Sequence, residues 1–464
     1  MKSKLLISAL IATTIIIGTI MMQKAHSTPL DIQKTLQEYV EDNDGVGAAV
    51  GYIDNGKIEY YTYGKKAVDG NDPITQDSIF EIGSITKVFT TITLLEMVKQ
   101  GKIHLEDPIE MYLPDIKVPE KDGKKITVWH LATHTSGLPS MPDNFEPKNM
   151  DNPYADYSAQ NLYTFLKGHT LTRLPGQNHQ YSNLGMGLLS HILCLIEKTD
   201  YEALIKKYIC DPLNMKSTGV VLTPSMKINL AHGHNILKKV GNWDFDVLAG
   251  AGAIRSNIKD MTIFLAANMG MIDTPLYESI QASHAQQCPT SMADHVKQCV
   301  GWIANTQNDG TITWHNGGTG GYRSFMGFDI KNKKGIVILS NAGNCSVDPL
   351  GLYILDQIHH KLEKQVYNEA LATPEYLGKF VGTYETEPII FNGISMPKAE
   401  LEITLLHNKL YYANTQLLPD QKNVFRVKNA PDTYKVHFIM DEKDTIVEVQ
   451  SRQPEGIFKA FPKK

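Results

Sequence analysis

Apolar positions change their spacing several times along this chain, and each change marks an element. Lys2 and Lys4 precede an unbroken run of apolar or small residues from Leu5 to Met22, and Ala25 and Ser27 then form an A-x-S pattern. That order predicts a secretory signal over residues 1–27, cut after Ser27. The run also approaches the length of a membrane span, so an uncleaved N-terminal anchor is the alternative, and the only membrane contact expected. Either way the remainder is exported, to the periplasm or the medium. Next, "LDIQKTLQEYVEDN" has the spacing of an amphipathic helix. "GVGAAVGYIDNGKIEYYTYGKKAV" follows as a hairpin turning at Asp54-Asn55-Gly56. "FEIGSITKVFTTITLLEMVKQG" reads as a short strand, a glycine and a helix. In it Ile85, Val88, Ile92 and Leu95 recur at three- and four-residue steps, which predicts one buried stripe.

A long helical and loop-rich middle follows. Apolar strands return in "GTITWHNGG", "YRSFMGFDI" and "GIVILSN", and then a helix in "DPLGLYILDQIHHKLEKQ". An antiparallel sheet built from both ends of this region, flanked by helices and enclosing an all-helical insertion, fits that order. From Phe380 the period shortens to two, in runs such as "FVGTYE", "ELEITLLHNKLYYAN" and "YKVHFIMD" with turn signals between them. Those runs predict a small all-β barrel or sandwich. The fold class is therefore α/β in the α+β sense. A main domain is expected over 28–368 and an all-β accessory domain over 375–464.

Charge and cysteines narrow the function without defining it. The net charge is -5, and no dense basic run interleaves with aromatics, so nucleic acid is not an expected partner. The five cysteines (Cys194, Cys210, Cys288, Cys299, Cys345) are odd in number. Cys288 and Cys299 flank the polar loop "CPTSMADHVKQC" and are placed to pair in an oxidising compartment. His232-Gly-His234 prompts a metal reading, but no His-Glu-x-x-His, paired Cys-x-x-Cys or acidic partner at ligand spacing accompanies it. No metal and no cofactor are expected.

Candidate chemistry begins at Ser84 and Lys87, at i and i+3 and so one turn apart on a helix. A serine at a helix N-terminus lies among unpaired N–H groups that favour negative charge, and a lysine kept dry beside it can lose its proton and act as a base. "PGQNHQYSNLG" offers Tyr181, a proton relay, and Asn183, an amide that can orient substrate. "WHNGGTGGYRS" sets His315 on a strand, followed by Gly317 and Gly318, which allow close approach to backbone and a second oxyanion N–H. Each segment alone has a plainer role: Ser84 as an N-cap, Lys87 reaching solvent, Tyr-x-Asn as a cap and a packed ring, His315 as structure.

In chain order, "FEIGSITK", "LATHTSGL", "PGQNHQYSNLG", "AGAGAIRSNIKD" and "WHNGGTGGYRS" together resemble the serine hydrolases related to class C β-lactamases. That group includes penicillin-binding DD-peptidases, D-aminopeptidases and esterases, and the resemblance spans about residues 30 to 365. It implies that Ser84 is acylated, Lys87 is its partner, Tyr181 is general base and acid, and Asn183 positions substrate. Gly318 lends an oxyanion N–H beside that of Ser84, and His315 and Gly317 belong to the third motif. The reaction implied is two-step acyl transfer on a small-molecule or peptidoglycan-like substrate: a β-lactam, a D-alanyl peptide or an ester. The alternative is a penicillin-binding receptor that is acylated and turns over poorly. Two departures stand out. Thr86 replaces Ser or Ala, and His315 stands where class C enzymes carry the lysine of Lys-Thr-Gly. Arg323 is the candidate to supply the missing charge.

Overall fold

A computed structural model describes residues 30–463, apart from 286–287, 291, 308–309, 363–366, 392–393, 397, 413–414, 429, 431 and 454–455. The signal segment and its cleavage position lie outside the described residues. Among the described residues no helix is long and apolar enough to cross a membrane.

Besides the two-residue pair His234–Asn235 and Lys238–Lys239, the strands described before the C-terminal region are numbered β1 Gly47–Asp54, β2 Lys57–Gly64, β3 Ile79–Glu81, β4 Arg255–Asn257, β5 Cys288–Pro289, β6 Val296–Gln298, β7 Ile303–Gln307, β8 Gly310–Gly318, β9 Arg323–Asp329 and β10 Lys334–Ser340. Eight form one antiparallel sheet in the order β2-β1-β10-β9-β8-β7-β6-β5, so strands from the two ends of the region meet at β1 and β10. The hairpin β1-β2 turns at Asn55 and Gly56, both at positive φ (48° and 88°), a pair of conformations that Asn-Gly adopts readily.

Strand β10 is apolar on both faces because both are covered. Ile336 and Ile338 pack on helix α1 (Ile32–Asp42) through Leu36 and Val40, together with Leu350 and Ile354. Val337 and Leu339 face the opposite core, where helices α2 (Thr86–Lys99), α3 (Asn183–Glu197) and α4 (Ile258–Asn268) gather. There Phe89 of α2 stacks on Phe264 of α4 at 4.1 Å. Helix α2 departs from its expected single stripe: every residue from Thr86 to Met97 is buried, because the helix is wedged between sheet and helical region. Helix α5 (Asp348–Leu355) supplies Leu350 and Ile354 and ends earlier than its apolar pattern suggests. The Asp356 carboxylate accepts backbone N–H bonds from Ile358 and His359, and that local arrangement outcompetes another helical turn.

The C-terminal region is a closed antiparallel barrel of eight strands, each paired with its neighbours in sequence: β11 Gly382–Thr386, β12 Glu400–Leu406, β13 Lys409–Tyr412, β14 Thr415–Gln421, β15 Val424–Val427, β16 Lys435–Met440, β17 Ile446–Gln453 and β18 Gly456–Pro462. Phe380, Phe425 and Phe438 pack ring against ring at one end of its core. The barrel meets the main domain at the C-terminus of α1, where Asp44 accepts from Lys409 Nζ at 2.5 Å and Tyr411 OH at 2.6 Å.

The cysteine pair does not form. All five cysteines are free thiols; Cys288 pairs across the sheet with Gln298, leaving Cys299 one residue out of register. His234 serves structure: its Nε2 accepts from Val68 N at 3.2 Å and its ring lies against Asn341 O.

Candidate active site

Ser84 sits in a 3₁₀ turn, Gly83–Ile85, between β3 and α2. Gly83 enters the turn at φ +51°, and a Cβ there would fall 2.6 Å from the Gly318 nitrogen. Glycine alone lets the turn lie against the end of β8, and this contact sets the Gly318 N–H beside the residue preceding Ser84. Ser324 Oγ on β9 donates to Ile82 O at 2.8 Å, and Ile82 N donates to Ile254 O at 3.0 Å, fixing the turn from two sides. Gly317 is equally confined, since a Cβ would stand 2.0 Å from Ile82 O.

One turn along α2, Lys87 is fully buried. Its Nζ lies 2.9 Å from Ser84 Oγ and 2.7 Å from Ala251 O. No ion pair among the described residues includes it, and burial without a counter-charge holds the amine well below the ordinary lysine pKa. A neutral amine has two N–H groups and one lone pair. Ala251 O takes one N–H, which leaves the lone pair available to the Ser84 hydroxyl.

The Tyr181 ring centroid is 4.8 Å from Lys87 Nζ, which places the phenol beside the Ser84–Lys87 pair. Burial pushes the phenol above its ordinary pKa, and the nearby Ser84 hydroxyl opposes that only in part, so Tyr181 carries its proton at neutral pH. Its ring rests 4.7 Å from that of His134, a buried residue at φ +58° whose Nδ1 accepts from Ser182 N at 3.1 Å. Burial, with Lys87 nearby, keeps His134 uncharged. His315, from β8, is also buried; its ring lies 6.4 Å from that of Tyr181 and its Nδ1 lies 2.6 Å from Asn316 O. Burial, reinforced by Lys87, pushes the His315 pKa down to about 4, so the third motif carries no charge at pH 7.

The structure thus brings Ser84, Lys87, Tyr181, His315, Gly317 and Gly318 to one place. Asn183 opens α3 beside them, but its amide points to Tyr154 OH (3.5 Å) and Met141 Sδ (3.8 Å). Tyr154 belongs to an aromatic wall: its ring lies 4.3 Å from Phe245 and 5.3 Å from Trp243, and a Cβ on Gly320 would stand 2.9 Å from Trp243 Nε1. Arg323 approaches from behind β8: a Cβ on Gly318 would fall 2.5 Å from its Nη1. Side chains alternate along β9, and because Ser324 faces Ile82, Arg323 faces the other side. There it donates to Thr319 O and Tyr322 O and lines a polar cavity of about 190 Å³ shared with Lys428 of the barrel. His134, Ala251 and the aromatic wall were not predicted. "LATHTSGL" and "AGAGAIRS" contain the first two, but their contacts join segments far apart in the chain.

Among solved structures the chain is similar to a beta-lactamase/D-alanine carboxypeptidase from Pseudomonas syringae, with a TM-score of 0.61 at 22% identity over 71% of this chain and 98% of that one. Among curated proteins it is 26% identical over 346 residues to a beta-lactamase of Escherichia coli K12, covering 67% of this chain and 88% of the relative. It is also 26% identical over 340 residues to the protein flp of Staphylococcus aureus N315, covering 71% of this chain and 66% of the relative. The family model "Beta-lactamase" matches residues 32–356, a range that contains every side chain gathered around Ser84, and the chain belongs to that family.

Proposed function

We propose that the protein is an exported serine hydrolase that works by two-step acyl transfer through Ser84. The observation that carries this reading is the dry Lys87 amine, 2.9 Å from Ser84 Oγ and without a counter-charge. Lys87 takes the hydroxyl proton as Oγ attacks the substrate carbonyl. The tetrahedral oxyanion is held by the N–H groups of Ser84 and Gly318. Tyr181, a phenol in the resting site, gives its proton to the leaving group and regains one from the Lys87 ammonium. Water then attacks the acyl carbon, returns a proton through the same pair, and frees Ser84 and the acid. Tyr181 is thus acid and relay, and Lys87 is the first base. Export rests on the Lys2 and Lys4 start and the apolar run behind it.

Substrate class follows from charge. His315 is neutral, and Arg323 stands on the face of β9 opposite Ser324, with its guanidinium behind Gly318. The wall of Tyr154, Trp243 and Phe245 offers apolar contact next to Asn183. Esters and amides with an apolar or aromatic group are therefore favoured over β-lactams, whose carboxylate meets a neutral histidine in the third motif. The alternative, a penicillin-acylated receptor, uses the same atoms and draws support from the raised Tyr181 pKa, which makes the phenol a poor activator of water.

The test is intact-mass and turnover analysis of wild type and Ser84→Ala with a nitrophenyl ester, a penicillin and a cephalosporin. The expected result is ester turnover exceeding penicillin turnover, with both abolished by Ser84→Ala. A long-lived penicillin adduct without turnover selects the receptor reading. Equal ester turnover by both proteins overturns the assignment of Ser84.

A further inference from the structure

The seam between barrel and main domain encloses the polar cavity of about 190 Å³ that Arg323 lines. A larger cavity, about 370 Å³, lies in the barrel lumen, where the buried lining of Ile403, Val436, Val449 and Ala460 is apolar. The seam cavity is below the roughly 300–1,000 Å³ typical of sites for drug-sized molecules. No aliphatic side chain lines it among the described residues. Both regions contribute to it. Arg323 lies on β9 and Ser346 between β10 and α5, while Thr415 and Gln416 open β14 and Lys428 follows β15.

Charge on this lining is unbalanced. Asp44 is its one carboxylate among the described residues, and Lys409 and Tyr411 already donate to it. Arg323 and Lys428 make no ion pair among the described residues. Arg323 donates only from Nη1, to the carbonyls of Thr319 and Tyr322. Lys428 Nζ donates to Asp42 O and, at 3.1 Å, to Gln416 Oε1. That leaves Nε and Nη2 of the guanidinium and one N–H of the ammonium without an acceptor among the described residues. Asp348 acts on Arg323 from outside the cavity, and Asn316 Nδ2 holds it at 2.6 Å. Arg323, Lys428 and Asp44 all act electrostatically on the fully buried Cys345 thiol, so the three charges converge beside it. Burial holds both cations below their ordinary pKa, as expected of charged groups short of a counter-ion. A guanidinium fork matches two oxygens of a tetrahedral oxoanion, an ammonium matches a third, and the hydroxyls of Ser346 and Thr415 add donors.

We propose that the seam cavity binds a compact, multiply charged oxoanion of the phosphate type, held between Arg323 of the main domain and Lys428 of the barrel. The bound anion supplies the missing negative charge and ties the two regions together.

The experiment is calorimetric titration of the full chain with inorganic phosphate at neutral pH and fixed ionic strength, with acetate as the singly charged probe. Wild type is expected to bind one phosphate per chain, to bind acetate at least tenfold more weakly, and to melt at higher temperature with phosphate present. Lys428→Met and Arg323→Met are each expected to weaken phosphate at least tenfold. Lys435→Met removes a barrel lysine that pairs with Asp420 outside the cavity, and it is expected to bind like wild type. The proposal fails if wild type shows no saturable binding, if acetate binds as tightly, if folded Lys428→Met binds as tightly, or if Lys435→Met loses as much affinity. Should both cavity variants unfold, amide resonances of wild type decide. Shifts at Ser346 and Thr415 on adding phosphate support the site, and shifts elsewhere, at Ser84 and Gly318 above all, overturn it.

Discussion

The active site and the barrel lumen are both cavities in a folded protein, yet they are built in opposite ways. Around Ser84, polar groups are driven into the core. Lys87, His134 and His315 are nearly inaccessible, and burial pushes each away from its charged form. The segments that meet there are distant in sequence, and the backbone takes positive φ at Gly83 and His134. In the barrel, strands pair with their neighbours around the barrel, and the core is apolar apart from Thr386. The contrast separates two ways of using stability. An apolar lumen comes from a locally connected scaffold. A reactive hydroxyl needs charges suppressed by long-range packing, which holds uncompensated groups where they would not otherwise stay.

The largest effect expected from this contrast is a loss of activity without a loss of stability. Lys87→Met removes the proposed base and also removes a buried amine that prefers water. We expect kcat/KM for an ester to fall about a thousandfold. At pH 7 the variant should be at least as stable as wild type, since an apolar residue of similar length replaces a dehydrated amine. The sign of the pH effect follows from linkage. The folded pKa of Lys87 lies below the unfolded value, so between the two the unfolded chain binds a proton that the native state refuses. Wild type therefore loses stability as pH falls through that window, and Lys87→Met should lack that slope. Denaturant unfolding at several pH values measures it, and a variant markedly less stable at pH 7 would show Lys87 to be structural. In wild type the acid limb of kcat/KM should follow protonation of this amine.

An intermediate effect is expected where backbone conformation serves the site. Gly83→Ala puts a methyl group 2.6 Å from the Gly318 nitrogen at a φ of +51°. We expect a loss of about 1–3 kcal/mol in stability. Ester kcat/KM should fall more than tenfold, because the two oxyanion N–H groups are pushed apart. Ester activity within twofold of wild type would mean that the contact between the Ser84 turn and β8 is not what aligns the oxyanion groups.

The same contrast governs what could be read from the chain. The apolar strands "GIVILSN" and "GTITWHNGG", the Asn55-Gly56 hairpin and the alternating runs after Phe380 were legible because periodicity and turn chemistry are local. The beta-lactamase family was legible from five short segments. Burial of α2 on every side was not, since its outer face is covered by elements that its own spacing cannot reveal. Arg323 was a candidate for substrate because it follows the third motif closely, and only the pleat of β9 shows that it comes from the face opposite Ser324, behind Gly318. His134 had no local signal, because its contact with Ser182 crosses 48 residues. The lumen volume was hidden for a similar reason, depending on which residues stand opposite one another across the barrel.

The smallest effect probes the seam between the two regions. Asp44 accepts from Lys409 and Tyr411, and its side chain is only 12% exposed. Asp44→Asn keeps the shape but loses the charge that both donors share, at a cost of about 1–2 kcal/mol. Faster amide hydrogen exchange is expected in β13 and at the end of α1, with the barrel core around Phe425 and Phe438 unchanged. Ester kcat/KM should stay within twofold, because the contact lies beyond β1 on the side of the sheet covered by α1 and α5, away from Ser84. If activity instead falls in step with the exchange rates at the seam, the barrel braces the catalytic turn, and the two regions are mechanically one unit rather than two.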